Sequence, residues 1–472
     1  MEFIQNLIGQ ANSLLWGYIL IGLLLGLGFY FTVKSGFVQI RHLVEMFRVI
    51  SEKKSPREKG GISSLQAFFI GAATRIGTGN LAGVAMAIAL GGPGAVFWMW
   101  IVAVLGGASA FVESTLAQIF KVKDKDGFKG GPGYYMEKQL GKRWLSTIFA
   151  VTIILSFGTT FNAVQSNTIA SALNNSFGLN ELVVGIVLTV LTGVIIFGGV
   201  KRIAHFSSII VPIMATFYIA LALIVTVMNI TELPAVIALI VKSAFGLEQV
   251  IGGGFGAAIM MGVKRGLFSN EAGMGSAPVA AATANVSHPV KQGFIQALGV
   301  FFDTLLVCSA TAFIILLSGA YKDGIQGIEL TQASMAEHFG SWASLFLALA
   351  ILMFAFSSII GSYYYGEANI EFIHSSKTAL FIYRVIALGM IIFGSVASLQ
   401  IVWDLADLAM ALMALTNLVA IGILGKFAFK ALHNYMEQRK QGKDPIFYAD
   451  DIEGLKGVEA WPTRDEKYKE AV

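Results

Sequence analysis

Apolar stretches of roughly 20 residues, the length that carries a helix through about 30 Å of hydrocarbon, recur at 14–33, 63–90, 93–120, 147–172, 181–200, 207–228, 246–266, 292–318, 341–365, 378–396 and 399–425. They predict an all-α integral membrane protein of about eleven transmembrane helices. A further apolar piece, 233–245, is too short to span and carries Lys242, which predicts an interfacial or re-entrant helix. One span is interrupted. Between Gly71 and Gly92 the chain reads GAATRIGTGNLAGVAMAIALGG, and Ile76-Gly77-Thr78-Gly79-Asn80 sets two glycines among polar groups where a spanning helix requires apolar side chains. An unpaired backbone amide in hydrocarbon costs several kcal/mol, so such an interruption lines a cavity or binds something. Secondary transporters use broken helices in this way, with half-helix N-termini facing anionic groups and freed carbonyls coordinating a cation.

Composition agrees with the pattern: 56% of residues are hydrophobic, 13% are charged and the mean hydropathy is +0.71, against about 25% charged in soluble proteins. Orientation follows from the cations, because Lys/Arg-rich loops stay cytoplasmic. Seven Lys and Arg fall in 34–60 and seven in 121–146, with Lys242 and Lys322 nearly alone on the other side. This places the N-terminus outside and the C-terminus in the cytoplasm. The first span lacks an A-x-A cleavage site and reads as an uncleaved anchor. The net charge of +4 reports the cytoplasmic loops and contact with anionic lipid, not nucleic-acid binding. The single cysteine, Cys308, excludes an intrachain disulfide or a Cys-rich metal site. The charged tail 431–472 reads as a partly disordered extension.

Removing the first span leaves ten, which divide into two fives. After Leu247 the second five opens on EQVIGGGFGAAIMMGVKRG, so Gly252 to Gly256 mirror the first interruption. Because five is odd, the second half is inverted relative to the first. The organisation predicted is 1–62 for the extra helix and a basic amphipathic segment, 63–228 and 229–425 for the repeats, and 426–472 for a cytoplasmic charged tail. A membrane enzyme would need a clustered nucleophile and base, whereas the six histidines are scattered and no H-E-x-x-H or G-x-S-x-G occurs. A channel would need a continuous pore, usually from several subunits. Paired breaks favour a carrier.

Gly91-Gly92-Pro93-Gly94-Ala95-Val96-Phe97-Trp98-Met99-Trp100, together with AATRIGTGNLAGVA and GLFSNEAGMGSAPVAAATA, resembles the alanine or glycine:cation symporter family, also called sodium:alanine symporters. The resemblance covers residues 15 to 430. It implies a LeuT-like 5+5 inverted repeat plus one extra N-terminal helix, and sodium-coupled uptake of a small neutral amino acid, alanine or glycine, across a prokaryotic plasma membrane. Proton coupling and a preference for glutamine are the alternatives on the same fold.

The resemblance also implies residue roles. Gly77, Thr78, Gly79 and Asn80 correspond to the break that takes the amino acid's carboxylate, glycine being needed because a β-carbon would keep the ligand off the backbone. Asn80 reads either as a sodium or carboxylate ligand or as a helix N-cap. In the second break, Gly252 and Gly253 correspond to unwound backbone and Phe255 to the wall over the ligand's side chain. Ser357 and Ser358 resemble the paired hydroxyls of a sodium site completed by the carbonyls of Ala73, Ile76 and Phe354. Ionisable groups at membrane depth are functional candidates by default. Arg75, Asp303 and Glu271 are gating or cation-holding candidates, with Glu113, Glu367, Asp404 and Asp407 beside them. Lys264, Arg265, Asn270 and Glu271 are expected past the second break, toward the cytoplasm.

Overall fold

The computed structural model describes residues 2–52, 62–124, 127–197, 199–247 and 254–466. Gly252 and Gly253 lie outside the described residues. α1 (Glu2–Leu14) and α2 (Ile21–Lys34) are joined by a π-helical turn into one rod, and α3 (Val38–Arg41) and α4 (Leu43–Ile50) follow it. A capping box, in which Ser63 and Gln66 bond each other's backbone N–H, opens α5 (Ser64–Arg75); the chain then breaks, resumes as a π turn at Gly79–Gly83 and continues as α6 (Val84–Gly91). α7 (Gly94–Ile119) leads to a hairpin of β1 (Val122–Asp124) and β2 (Gly127–Lys129), then to α8 (Pro132–Lys138). α9 (Arg143–Leu155) runs through a π turn into α10 (Phe161–Phe177), which ends at left-handed Gly178. α11 (Glu181–Ile196), capped by Asn180, α12 (Gly199–Met228) and α13 (Leu233–Ala244) follow.

The second half begins with α14 (Phe255–Asn270) and the short α15 (Ala277–Ala282). α16 (Val290–Val300) joins α17 (Ser309–Ser318) through π turns. α18 (Gly327–Phe339), α19 (Ser341–Ile373), α20 (Lys377–Val396) and α21 (Leu399–Lys440) complete the bundle.

Among the described residues seven helices are long and apolar enough to cross a membrane, or eight if the pair Thr216–Met228 and Leu233–Ala244, bent by 103°, counts as one. The other candidate stretches, 63–90, 181–200 and 246–266, are the broken or short ones, so a count of uninterrupted helices passes over them. The bundle turns apolar side chains outward: Val183, Val187, Val190 and Val194 form an exposed stripe on α11, which suits lipid rather than water.

The tail departs from expectation. Instead of being disordered, residues 441–466 pack back on the bundle, because three large apolar side chains find partners there. Phe447, Ile452 and Trp461 are buried. The Trp461 indole N–H donates to the Gln118 carbonyl at 2.8 Å, and Phe447 meets Trp461 and His288 edge-on at 5.3 Å each. On the same face Arg48 pairs with Glu45 and Glu52, and Lys291 with Glu52 and Asp444.

His288, in the loop before α16, is buried, and burial pushes its imidazole down from the ordinary 6.5 to about 3. The unfolded chain therefore binds a proton that the folded one refuses, so this site's stability is complete above about pH 6.5 and falls as pH drops toward 3. The expected slope is about 1.4 kcal/mol per pH unit in that window. Thermal unfolding of the purified protein at pH 7 and pH 5 measures it, and His288→Gln should flatten it; an unchanged slope in that variant would assign the acid sensitivity elsewhere.

Candidate functional site

At the break, the Gly77 N–H donates to Asn80 Oδ1 at 2.9 Å, which diverts it from the helical path back to Ala73. The Ala73 carbonyl instead accepts from Ser358 Oγ on α19 at 2.8 Å, and the carbonyls of Phe354 and Ile76 approach the same hydroxyl at 3.1 and 3.5 Å. A hydroxyl carries one hydrogen. Three carbonyl oxygens converging on it therefore leave acceptor capacity over, which is what a hard cation seeks. Ser357 donates to the Phe354 carbonyl of its own helix at 2.8 Å. Gly77 is required by contact: a Cβ there would lie 2.2 Å from Ser358 Oγ. A Cβ on Gly79 would meet the Ser269 backbone at 3.0 Å and the Phe268 ring at 3.1 Å, so Gly79 lets α14 pack against the break.

The Asn80 amide joins the break to the second half of the chain, donating to Asp303 Oδ1 at 2.6 Å and to Ser269 Oγ at 3.0 Å. Ser269 and Thr304 donate to Asp303 Oδ2 at 2.8 and 2.9 Å. Asp303 is thus a buried carboxylate surrounded by neutral donors. The Asn80 oxygen thus accepts from a backbone amide preceding it, not from the first turn of a helix that follows, and its nitrogen bonds a carboxylate of the protein itself.

Gly252 and Gly253 lie outside the described residues, which contain a discontinuity further along the chain. Gly256 is helical in α14, and the chain turns at 271–276, where Glu271, Gly273 and Gly275 have φ of 59°, 83° and 91°. Glu113 of α7 anchors this turn, accepting from Gly273 N at 3.0 Å, Gly275 N at 3.1 Å and Asn417 Nδ2 at 2.7 Å. The Glu271 carboxylate accepts from Ser276 Oγ at 2.5 Å. The signal was present in SNEAGMGS, a polar, glycine-bearing run inside a motif that carries the family resemblance.

Phe255 is not brought to the first break. It opens α14, stands 48% exposed against Trp98, and precedes Phe268 by thirteen residues, about 20 Å along a helix. Lys264 and Arg265 lie within α14, before the turn at 271–276. Arg265 grips both oxygens of Asp407 at 3.1 and 2.9 Å and lies 4.2 Å over the Trp403 ring. Glu367 pairs with Arg384 at 3.0 Å. Arg75 is 2% exposed, and among the described residues no carboxylate comes within 4 Å of it.

Several residues escaped the sequence reading. Gln165 Oε1 accepts from both the Thr78 amide, at 3.1 Å, and the Thr78 hydroxyl. Phe161, Phe268 and Trp403 stack beside the break, with ring centroids 4.5 and 4.7 Å apart in sequence, and the Trp403 indole N–H is buried without a partner. The polar run Asn162, Gln165, Ser166, Asn167, Thr168 within an apolar span was the available signal for α10. The break is closed from both directions. On the tail face Thr74 meets Tyr365 at 3.3 Å, above a 160 Å³ cavity lined by Lys129, Asp124, Glu367 and Glu371, with Lys129 3.3 Å from Asp124 and 3.9 Å from Glu371. On the opposite face α18 covers it, Thr331 donating to the Leu81 carbonyl at 3.2 Å.

Residues 1–449 match the model of the sodium:alanine symporter family. The chain belongs to the sodium:alanine symporter family. Among similar proteins, the probable sodium/glutamine symporter GlnT of Bacillus subtilis is 58% identical over 99% of this chain and 98% of its own length. The sodium/alanine symporter AgcS of Methanococcus maripaludis is 38% identical over 93% and 99%. In fold the symporter is similar to Mhp1, a nucleobase-cation-symport-1 family transporter, with a TM-score of 0.50 at 13% identity over 84% of this chain and 96% of that one.

Glu113 is the bond that keeps this symporter's second discontinuity in shape. Glu113→Ala would leave the buried Gly273 and Gly275 amides unpaired, at about 1–3 kcal/mol each, and would cost Asn417 one of its two bonds, the one to the Gly273 carbonyl remaining. We expect a clear fall in melting temperature, with Glu113→Gln, which keeps one acceptor oxygen, in between. Equal melting temperatures for all three proteins would remove Glu113 from this role.

Proposed function

We propose that this symporter carries a small neutral amino acid, alanine or glycine, into the cell with sodium by alternating access. Its body is read as eleven spans, an extra helix followed by two inverted five-helix repeats, with the tail face in the cytoplasm of a prokaryotic cell. The observation that carries this reading is the convergence of the Ala73, Ile76 and Phe354 carbonyls on Ser358 Oγ at an interrupted helix. Hard oxygens in a dry surround suit sodium, and a neighbouring helix supplies the hydroxyl.

In this reading the amino acid's carboxylate replaces Gln165 Oε1 at the Thr78 amide and hydroxyl, and its side chain meets Phe161, Phe268 and Trp403. Asp303, held by Asn80, Ser269 and Thr304, supplies negative charge beside the ligand's ammonium or a cation. Thr74 with Tyr365 closes the inner path and Arg265 with Asp407 the outer one. A glutamine preference is the second reading, favoured by the 58% identity to a relative named a sodium/glutamine symporter; proton coupling is raised by a 40% identical relative from a Bacillus named a sodium/proton-dependent alanine carrier protein. Uptake of labelled alanine into proteoliposomes, with and without a sodium gradient and in competition with glutamine, decides among these. A carrier saturates and concentrates its substrate, and uptake that does neither would refute alternating access.

Ser358→Ala should raise the sodium concentration for half-maximal uptake by about tenfold, one good ligand being worth roughly 1.5 kcal/mol, and by linkage lower amino-acid affinity at fixed sodium. Ser357→Ala should do much less, because its hydroxyl bonds its own helix. If both leave the sodium dependence unchanged, the cation is held elsewhere.

The wall gives a separate expectation. Phe268→Ala should weaken alanine and admit larger apolar amino acids as inhibitors, whereas Phe255→Ala should leave the inhibition profile as it was; the reverse pattern would move the pocket to the start of α14.

A further inference from the structure

Buried polar atoms without partners are concentrated on α16 and the two helices it packs against, α5 and α7. Of the sixteen such side-chain atoms among the described residues, nine lie on α5, α7 and α16: Arg75 Nε and Nη2, Ser114 Oγ, Thr115 Oγ1, Gln118 Oε1, and both amide atoms of Gln292 and Gln296. α16 packs against both other helices. Its glycines make the room, since a Cβ on Gly293 would lie 2.2 Å from Thr115 Oγ1 and one on Gly299 2.3 Å from Arg75 Nη1. Gln292, Gln296, Gly299 and Asp303 recur at helical spacing, so one face of α16 leads from the tail face, where Lys291 pairs with Glu52 and Asp444, up to Asp303 beside the break.

The unpaired atoms are of both kinds. Guanidinium and amide N–H groups are donors, while the Gln, Ser and Thr oxygens accept. An anion would leave the oxygens unmet and would face Glu113, Glu271 and Asp303, the carboxylates in electrostatic reach of Arg75. A cation would meet the fixed charge of Arg75. Water satisfies both kinds of atom, and buried water conventionally occupies polar sites of this sort. Pores that pass water while refusing cations rely on a fixed arginine in the same way.

We propose that this seam is a water-binding site, a file of ordered water running from the tail face to Asp303, in which the Arg75 guanidinium bars sodium so that sodium crosses only with the amino acid. This rests on the sodium-symport reading. Without the guanidinium, the oxygens of Gln292, Gln296, Ser114 and Thr115 become a ladder of hard ligands that sodium can descend.

The experiment is sodium influx into proteoliposomes holding the full-length protein, with and without alanine or glutamine. Wild type should admit sodium only with the amino acid. Arg75→Gln should admit it without any, at tenfold or more above wild type; Arg75→Lys, which keeps a charge, should stay tight. Adding Gln292→Leu and Gln296→Leu to Arg75→Gln should close the leak. A monodisperse Arg75→Gln protein that does not leak overturns the proposal, and so does a leak that persists in the triple variant. Should Arg75→Gln fail to fold, a wild-type structure resolving ordered water decides: density bonded to Gln296 and Arg75 is expected, and a dry seam refutes the site. Failure of wild type to take up sodium with either amino acid would instead refute the symport reading.

Discussion

A helix interrupted in hydrocarbon must find partners for the backbone groups it gives up, and in this protein that requirement organises everything near residue 77. Asn80 takes the Gly77 amide with its oxygen and reaches Asp303 and Ser269 with its nitrogen. One side chain therefore keeps the break open and ties it to α14 and the α16–α17 rod. The Ala73 carbonyl that this frees turns to Ser358. Filling the gap with a continuous helix would recover a backbone bond and lose three contacts between distant parts of the chain.

The two discontinuities meet the same requirement with different chemistry. At 271–276 the exposed amides of Gly273 and Gly275 are taken by an ionisable side chain, Glu113. Removing a carboxylate from water is expensive, and the expense is tolerable only where several donors converge on it. Three do so here, one of them from α21. A neutral cap at the first break leaves its surroundings free to accept a charged ligand. The carboxyl cap at the second consumes its donors and ties that turn to α7 and α21.

Much of this was legible before any coordinates, and the limits have physical causes. Gly77 to Asn80 stood out because polar residues interrupt an apolar run, and that signal survives without neighbours. The carbonyls of Ala73, Ile76 and Phe354, which meet at Ser358, were named only through resemblance, because a carbonyl leaves no mark in a sequence. The second break was placed at Gly252 to Gly256 by counting glycines. Gly252 and Gly253 lie outside the described residues and Gly256 sits in the first turn of α14, while the left-handed φ values of a turn further along belong to Glu271, Gly273 and Gly275. Phe255 lies away from the first break, which the sequence could not show because helical distance, about 20 Å over the thirteen residues to Phe268, cannot be weighed without knowing where the opposing break lies. Gln165 was passed over as one amide in a polar run on α10. The tail's charge suggested disorder, whereas three apolar side chains, Phe447, Ile452 and Trp461, hold it down.

The buried charges show which contacts can change during transport. Arg265 with Asp407 is bidentate and lies against Trp403, so parting it exposes two desolvated ions and an aromatic face at once. Thr74 with Tyr365 is a single neutral contact at 3.3 Å, worth about 1 kcal/mol. The unpaired atoms of Arg75, Gln292 and Gln296 make no direct bond that motion would break. Nine unsatisfied buried atoms on six side chains, at about 1–3 kcal/mol for each group left unpaired, would cost an amount comparable to the 5–15 kcal/mol that holds a typical domain together, which is the energetic argument for water in the seam. Solvent there lets α5 part from α16 by exchanging water contacts for water contacts. The tail-face half of the broken helix is then the cheaper one to move, and the Arg265–Asp407 side is the one that needs a bound ligand to offset its opening.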